Sequence, residues 1–254
     1  MSKLFSLEGR VALITGGSRG IGRMMAEGFL RQGAKVYISS RKADACDAAA
    51  AEMSALGPCF SLPADVSNAA GMAALVAAYK DRETQLDILV NNAGAAWGAP
   101  FDEFPEQGWD KVVDLNMKAP FFLTQMLHPL LSAAGKSRPA KVINVASIDG
   151  QTVNPMETYS YAASKAGLIH LTKRLALRLV QDNIVVNAIC PGAFASEMNR
   201  AARDEAVTVA ARIPAKRIGV DDDMAAAAIY LASRAGDYVV GTTLTVDGGV
   251  NLVR

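Results

Sequence analysis

The chain has 254 residues, 51% of them hydrophobic and 20% charged, with 26 Lys and Arg against 25 Asp and Glu. That length suits one α/β domain of ordinary size, and a net charge of +1 gives no reason to expect a nucleic-acid partner or an anionic membrane surface. Three scattered cysteines (Cys46, Cys59, Cys190) match no metal-ligand spacing, and the N-terminal stretch lacks a signal-peptide apolar region, so the expectation is a metal-free, cytoplasmic protein with free thiols and no membrane span.

The first apolar run, over 10–15, ends in glycines and reads as a buried parallel strand. A helix over 21–32, closed by Gly33, leads to a strand over 34–40. An alanine-rich helix over 43–56, a strand over 59–64, a helix over 68–80 and a strand over 86–90 continue the alternation. Residues 110–131 read as one long helix, bent near Pro120, which has no N–H for the preceding turn. A strand over 141–146, a helix over 161–180, a strand over 184–189, a helix over 222–233 and a strand over 243–247 complete the pattern. Strict alternation predicts a single doubly wound α/β domain over 1–254, a Rossmann fold with a mainly parallel sheet between helices. The pattern loosens over 193–218, which reads as an insertion and is expected to be a substrate lid.

The turn after the first strand reads Thr15-Gly16-Gly17-Ser18-Arg19-Gly20-Ile21-Gly22. Glycines there let backbone approach a pyrophosphate, which then rests on a helix N-terminus. The spacing Gly-x-x-x-Gly-x-Gly departs from the commoner Gly-x-Gly-x-x-Gly, and any tight turn also uses glycine; the place between strand and helix is what favours a dinucleotide. At the end of the second strand an acid would bind the ribose 2′-hydroxyl of NAD. This chain has Ser39-Ser40-Arg41-Lys42 instead. Arg41, with Arg19 and Ser18, suits a 2′-phosphate, so the expected cofactor is NADP(H). The plainer alternative is that Arg41 and Lys42 only solvate a loop.

Tyr161 and Lys165 stand four residues apart, on one face of a helix. A lysine cation beside a phenol favours the phenolate and is expected to lower its pKa from about 10. Such a phenol moves a proton to or from a carbonyl or alcohol. Ser147 falls just after the fifth strand, at the carboxyl edge where doubly wound sheets bind ligands, and its hydroxyl can donate to a carbonyl oxygen. A strand-end capping serine and a structural tyrosine are the bland readings.

These residues together resemble the short-chain dehydrogenases/reductases, over essentially the whole chain. Thr15 to Gly22 resembles that family's cofactor loop, and Asp65-Val66 the pair that holds the adenine ring. Asn91, Asn92, Ala93 and Gly94 resemble its signature after the fourth strand, and Asn116 its helix asparagine that positions the lysine through water. Ser147, Tyr161 and Lys165 resemble its catalytic residues. Pro191-Gly192 resembles the turn beneath the nicotinamide, and Ser196 stands where a threonine is usual. The stretch 91–99 with Gly108-Trp109 is similar to bacterial β-ketoacyl reductases of the rhamnolipid-pathway kind. Val220-Asp-Asp-Asp replaces the family's usual Pro-Glu-Glu, and its acids still suit a helix N-terminus.

The resemblance implies an NADPH-dependent reductase taking a carbonyl to an alcohol, with a 3-oxoacyl thioester as the leading substrate, Tyr161 as acid/base and a homotetrameric assembly. Within enzymes the rival is an NADP-dependent alcohol, polyol or sugar dehydrogenase; outside them it is a non-catalytic cofactor-binding regulatory protein. Arg200, Arg203 and Arg212 on the lid either meet anions on the substrate or its carrier, or are simply exposed on a mobile helix. Asp149 either meets a polar substrate or faces water.

Overall fold

The computed structural model describes residues 2–253. Among these described residues seven strands form one sheet: β1 Val11–Thr15, β2 Lys35–Ser39, β3 Cys59–Ser61, β4 Ile88–Asn91, β5 Ala140–Val145, β6 Ile184–Pro191 and β7 Thr243–Val246. Their spatial order is β3-β2-β1-β4-β5-β6-β7, and every neighbouring pair is parallel. Among the described residues ten α-helices connect or flank them: α1 Ser2–Phe5, α2 Gly20–Arg31, α3 Ala43–Met53, α4 Ala69–Lys80, α5 Glu106–Val113, α6 Ala119–Gly135, α7 Tyr159–Leu179, α8 Arg200–Asp204, α9 Ala206–Ala211 and α10 Asp221–Ala232.

Alternation along the strands divides the core between the two faces of the sheet. Ala12 and Ile14 of β1 point to the layer made by α2, α3 and α10, where Phe29, Met53 and Met224 are buried. Leu13, between them, points to the opposite layer with Leu75 of α4, Leu127 of α6 and Ala176 of α7. Small residues let helices approach closely: a Cβ on Gly28 of α2 would lie 2.7 Å from the Ala225 Cβ of α10. No helix among the described residues is long and apolar enough to cross a membrane.

The expected long helix over 110–131 is instead two helices joined by a wide turn. Residues Asp114–Lys118 are π-helical, with Ala119 N–H donating back to the Asp114 carbonyl. Pro120 explains the widening, because it has no N–H to offer the Asn116 carbonyl four residues earlier. The strand expected over 59–64 stops at Ser61, ahead of Pro63. Residues 193–218 carry α8 and α9, and their ends are pinned together: Gly219 N–H donates to the Ala193 carbonyl at 2.9 Å beside a Phe194–Gly219 bridge. Only glycine fits at that neck, since a Cβ on Gly219 would lie 2.3 Å from the buried Phe194 ring.

Candidate active site

The crossovers change direction between β1 and β4, so a crevice opens at the carboxyl ends of these two strands. Thr15, the last residue of β1, joins its walls. Its Oγ1 accepts from the N–H groups of Asn92 and Ala93, both at 3.0 Å. The Asn92 amide donates back to the Thr15 and Gly16 carbonyls at 2.9 and 3.1 Å. The sequence reading overlooked Thr15 as a hinge between the two loops; a polar residue closing an apolar strand was its only signal.

Gly16 and Gly20 adopt φ of +65° and +53°, and a Cβ on Gly22 would lie 2.3 Å from the Gly16 carbonyl oxygen. The loop from Gly16 through Ser18 and Arg19 to Ile21 and Gly22 therefore holds a shape that side chains would block. It opens onto the N-terminus of α2, which has no side-chain cap. Ser196 lies directly over this loop, its Cβ 3.2 Å from where a Gly20 Cβ would be, and its Oγ accepts from Asn199 N–H at 3.1 Å. Ser40 and Arg41 follow β2. Arg19 and Arg41 are exposed and join no ion pair among the described residues, whereas neighbouring Arg23 is held by Glu27 and Glu52. Asp65 turns the chain after β3, its Oδ1 accepting from Ser67 N–H at 3.1 Å, and Val66 beside it is buried. Pro191 ends β6, and Gly192 N–H donates to the Val246 carbonyl at 2.9 Å.

Tyr161 and Lys165 lie one turn apart near the start of α7, as their spacing predicts, with the Lys165 Nζ 5.6 Å from the Tyr161 ring centroid. Ser147, after β5, lies beside the phenol, and its Oγ accepts from Asp149 N–H at 3.1 Å. The expected lowering of the phenol pKa is not found. Desolvation pushes Tyr161 up to about 12, with the neighbouring Ser147 hydroxyl working the other way. Burial also pushes Lys165 down to about 8. The physical reason is a dry site in which the Lys165 ammonium donates to the Val145 carbonyl at 2.7 Å and has no carboxylate in ion-pair range among the described residues. Burial likewise raises the adjacent Cys190 thiol to about 11, keeping it neutral.

Asn116 sits in the wide turn. Its Oδ1 accepts from Ala95 N–H at 2.8 Å, and its Nδ2 donates to the Ala95 carbonyl at 2.9 Å and to Ser164 Oγ at 3.1 Å. The side chain thus clamps the loop after β4 to the helix bearing Tyr161, and what remains toward Lys165 is its main-chain carbonyl. Gly94 lines the same space, where a Cβ would lie 3.7 Å from the Lys165 Nζ. Asn91 turns inward: its amide is spent on Thr124 and Asn144, so a cofactor contact from Asn91 falls to its backbone. Ala93 borders the crevice through the N–H that Thr15 holds.

A family profile described as Enoyl-(Acyl carrier protein) reductase matches residues 16–251. The rhamnolipids biosynthesis 3-oxoacyl-(acyl-carrier-protein) reductase of Pseudomonas aeruginosa is 45% identical, over 99% of this chain and 100% of that one. The chain belongs to the short-chain dehydrogenase/reductase family. As in other short-chain dehydrogenases/reductases, its chemistry is that of an oxidoreductase. The solved Pseudomonas aeruginosa RhlG/NADP active-site complex superposes with a TM-score of 0.95 at 44% identity, covering 99% of this chain and 100% of that one. A gluconate 5-dehydrogenase from Burkholderia cenocepacia, solved with NADP and tartrate, gives 0.91 at 34% identity, covering 99% and 98%.

For this short-chain dehydrogenase/reductase, the residues present fit a phosphorylated dinucleotide. The glycine positions of the loop leave no room for side chains, Arg19 in the loop and Arg41 after β2 are outside any ion pair among the described residues, and Lys165 is a buried cation near Gly94. His128, paired with Asp182 at 3.0 Å, and exposed His170 take no part.

Proposed function

We propose that this protein reduces a carbonyl to an alcohol with NADPH, and that its substrate is a 3-oxoacyl thioester. The observation that carries the reading is a half-buried phenol, Tyr161, set beside the buried Ser147 and one turn from a buried lysine cation. The cofactor, when bound, supplies the hydride. The chain's residues do the rest. Gly16, Gly20 and Gly22 shape the pyrophosphate cradle, Ser18, Arg19, Ser40 and Arg41 hold the 2′-phosphate, and Asp65 and Val66 border the adenine. Pro191, Gly192 and Ser196 support the nicotinamide end. Ser147 Oγ donates to the substrate carbonyl oxygen and holds it beside Tyr161. Tyr161 gives its phenolic proton to that oxygen, and Lys165 stabilises the phenolate left behind. A phenol pushed up to about 12 is protonated at neutral pH, the form that reduction needs.

The thioester reading is supported by the name of the 45%-identical reductase. A second reading, a sugar-acid dehydrogenase of the same chemistry run toward oxidation, is supported by the gluconate 5-dehydrogenase at 34% identity. The deciding experiment follows NADPH oxidation with 3-oxoacyl thioesters, simple ketones and keto-sugar acids. Turnover confined to the sugar acids would replace the first reading with the second; none with any carbonyl would favour a non-catalytic protein. We infer a homotetramer from exposed apolar residues on α7 and around β7, where Leu177 is 69% and Leu252 86% exposed. Light scattering giving a monomer mass at micromolar protein would oppose this.

A further inference from the structure

Four buried polar side chains form a continuous line through the middle of the molecule. Thr124 of α6, Asn91 of β4, Asn144 of β5 and Thr172 of α7 are 2%, 3%, 0% and 0% exposed. The two asparagines meet because β4 and β5 pair them in register. Asn91 Nδ2 donates to Thr124 Oγ1 at 3.2 Å and to Asn144 Oδ1 at 2.9 Å. Asn144 Nδ2 donates to Thr172 Oγ1 at 2.9 Å. Each threonine then donates to its own helix backbone, Thr124 to the Pro120 carbonyl at 2.6 Å and Thr172 to the Leu168 carbonyl at 2.8 Å. Every donation runs outward from Asn91, so the directions are mutually consistent.

The ends of the line make it more than packing. Pro120 closes the wide turn that carries Asn116, and Leu168 is one turn beyond Lys165 on α7. Asn116 and Ser164 already join the same two helices by one hydrogen bond at 3.1 Å. A single tether fixes a separation; a second one, a layer deeper, also fixes the rotation of one helix about the other. Apolar side chains would fill this space without the desolvation cost of four polar groups. A buried hydrogen-bonded network specifies one arrangement where an apolar contact tolerates sliding.

We propose that Thr124, Asn91, Asn144 and Thr172 are a positioning spine that holds the turn bearing Asn116 in register with the turn bearing Lys165. The proposal rests on the active-site reading given above. None of the four meets the reacting atoms in that reading; they act through the groups they align.

The test uses Thr124→Val and Thr172→Val, singly and together, in the full-length enzyme with NADPH and its best carbonyl substrate. Each change removes a hydroxyl at nearly constant volume. Each single variant is expected to lower kcat about tenfold with little change in the KM for NADPH, and the double to fall about as far as one single, because both cut the same line. Thr124→Ser and Thr172→Ser, which keep the hydroxyl, should recover most of the loss. Unchanged kcat in the single variants, or a double loss of about a hundredfold equal to their product, would overturn the spine. Should Thr124→Val not fold, Thr172→Val decides through hydrogen exchange: amides of 114–118, on the other helix, are expected to lose protection, and unchanged protection there counts against the proposal. Tyr161→Phe separates the two ideas. If it keeps turnover, the active-site reading fails; if it is inactive while the valine variants keep kcat, only the spine fails.

Discussion

Lys165 Nζ donates to the Val145 carbonyl at 2.7 Å, which ties the helix carrying the candidate catalytic pair to the end of the strand preceding Ser147. The same bond leaves the ammonium buried without a carboxylate partner among the described residues, and burial brings its pKa down to about 8.

A pH dependence follows with a definite sign. Below about 8 Lys165 is charged and above it neutral, while Tyr161, pushed up to about 12, keeps its proton throughout. The kcat/KM for NADPH, which reports the free enzyme, should be flat at neutral pH and fall as pH rises through about 8. Because the folded pKa lies below the ordinary lysine value, the unfolded chain binds more protons between the two, and this group's contribution to stability rises with pH across that window. Tyr161→Phe should cost about 10²- to 10⁴-fold in kcat while leaving NADPH binding intact. A pH profile with no fall between neutral pH and the ordinary lysine range would remove Lys165 from its assigned role.

Cofactor choice should turn on the arginines. Arg41→Asp replaces a 2′-phosphate partner with a repelling charge and is expected to weaken NADPH binding about 10- to 100-fold, the scale of lost charge-assisted hydrogen bonds, while NADH binding changes little. Fluorescence titration of both cofactors reads this directly. Equal affinity of the unaltered protein for NADH and NADPH would leave Arg41 a surface residue.

The glycine loop offers a steric test. Gly22→Ala places a Cβ 2.3 Å from the Gly16 carbonyl oxygen and 2.5 Å from the Asn92 amide, both of which belong to the junction under Thr15. The backbone must shift, so a stability loss of about 1–3 kcal/mol is expected together with loss of NADPH binding. Thermal melts with and without NADPH measure both; an unshifted melt that NADPH still raises would show that the loop has slack.

The sheet was legible because its strands are apolar runs bounded by glycine, proline or polar turns, as at Val11–Thr15 and Ile184–Pro191. The pairing of Tyr161 with Lys165 was legible because helical spacing alone puts them on one face. The wide turn at Asp114–Lys118 was not, because Pro120 announces a bend without saying that the chain absorbs it by widening. Nor was the fate of Asn91: its position at a strand end allowed a cofactor contact, and only the register with Asn144 shows that its amide is spent inside the sheet. The direction of the Tyr161 shift also escaped the sequence, since it depends on how dry the site is rather than on which residues are neighbours.

The lid arginines separate into two kinds, which sharpens the thioester test. Arg203 is taken: its guanidinium pairs with Glu197 and, at 2.7 and 2.9 Å, with Asp204. It therefore holds the segment around α8 together and is not free to meet an anion. Arg200 and Arg212 are not in any ion pair among the described residues, and Arg200 opens α8 beside the half-exposed Met198. If the substrate is an acyl chain on a phosphate-bearing carrier, Arg200→Gln should raise KM several-fold for carrier or coenzyme A thioesters, about the effect of one screened charge contact, and spare small ketones. Arg203→Gln should instead affect both substrate types alike, because it loosens the segment itself. KM measured for a 3-oxoacyl coenzyme A and for a small ketone with each variant gives the answer. An Arg200→Gln enzyme that handles both substrates as the unaltered protein does would remove Arg200 from substrate recognition and leave the thioester reading without a contact on α8.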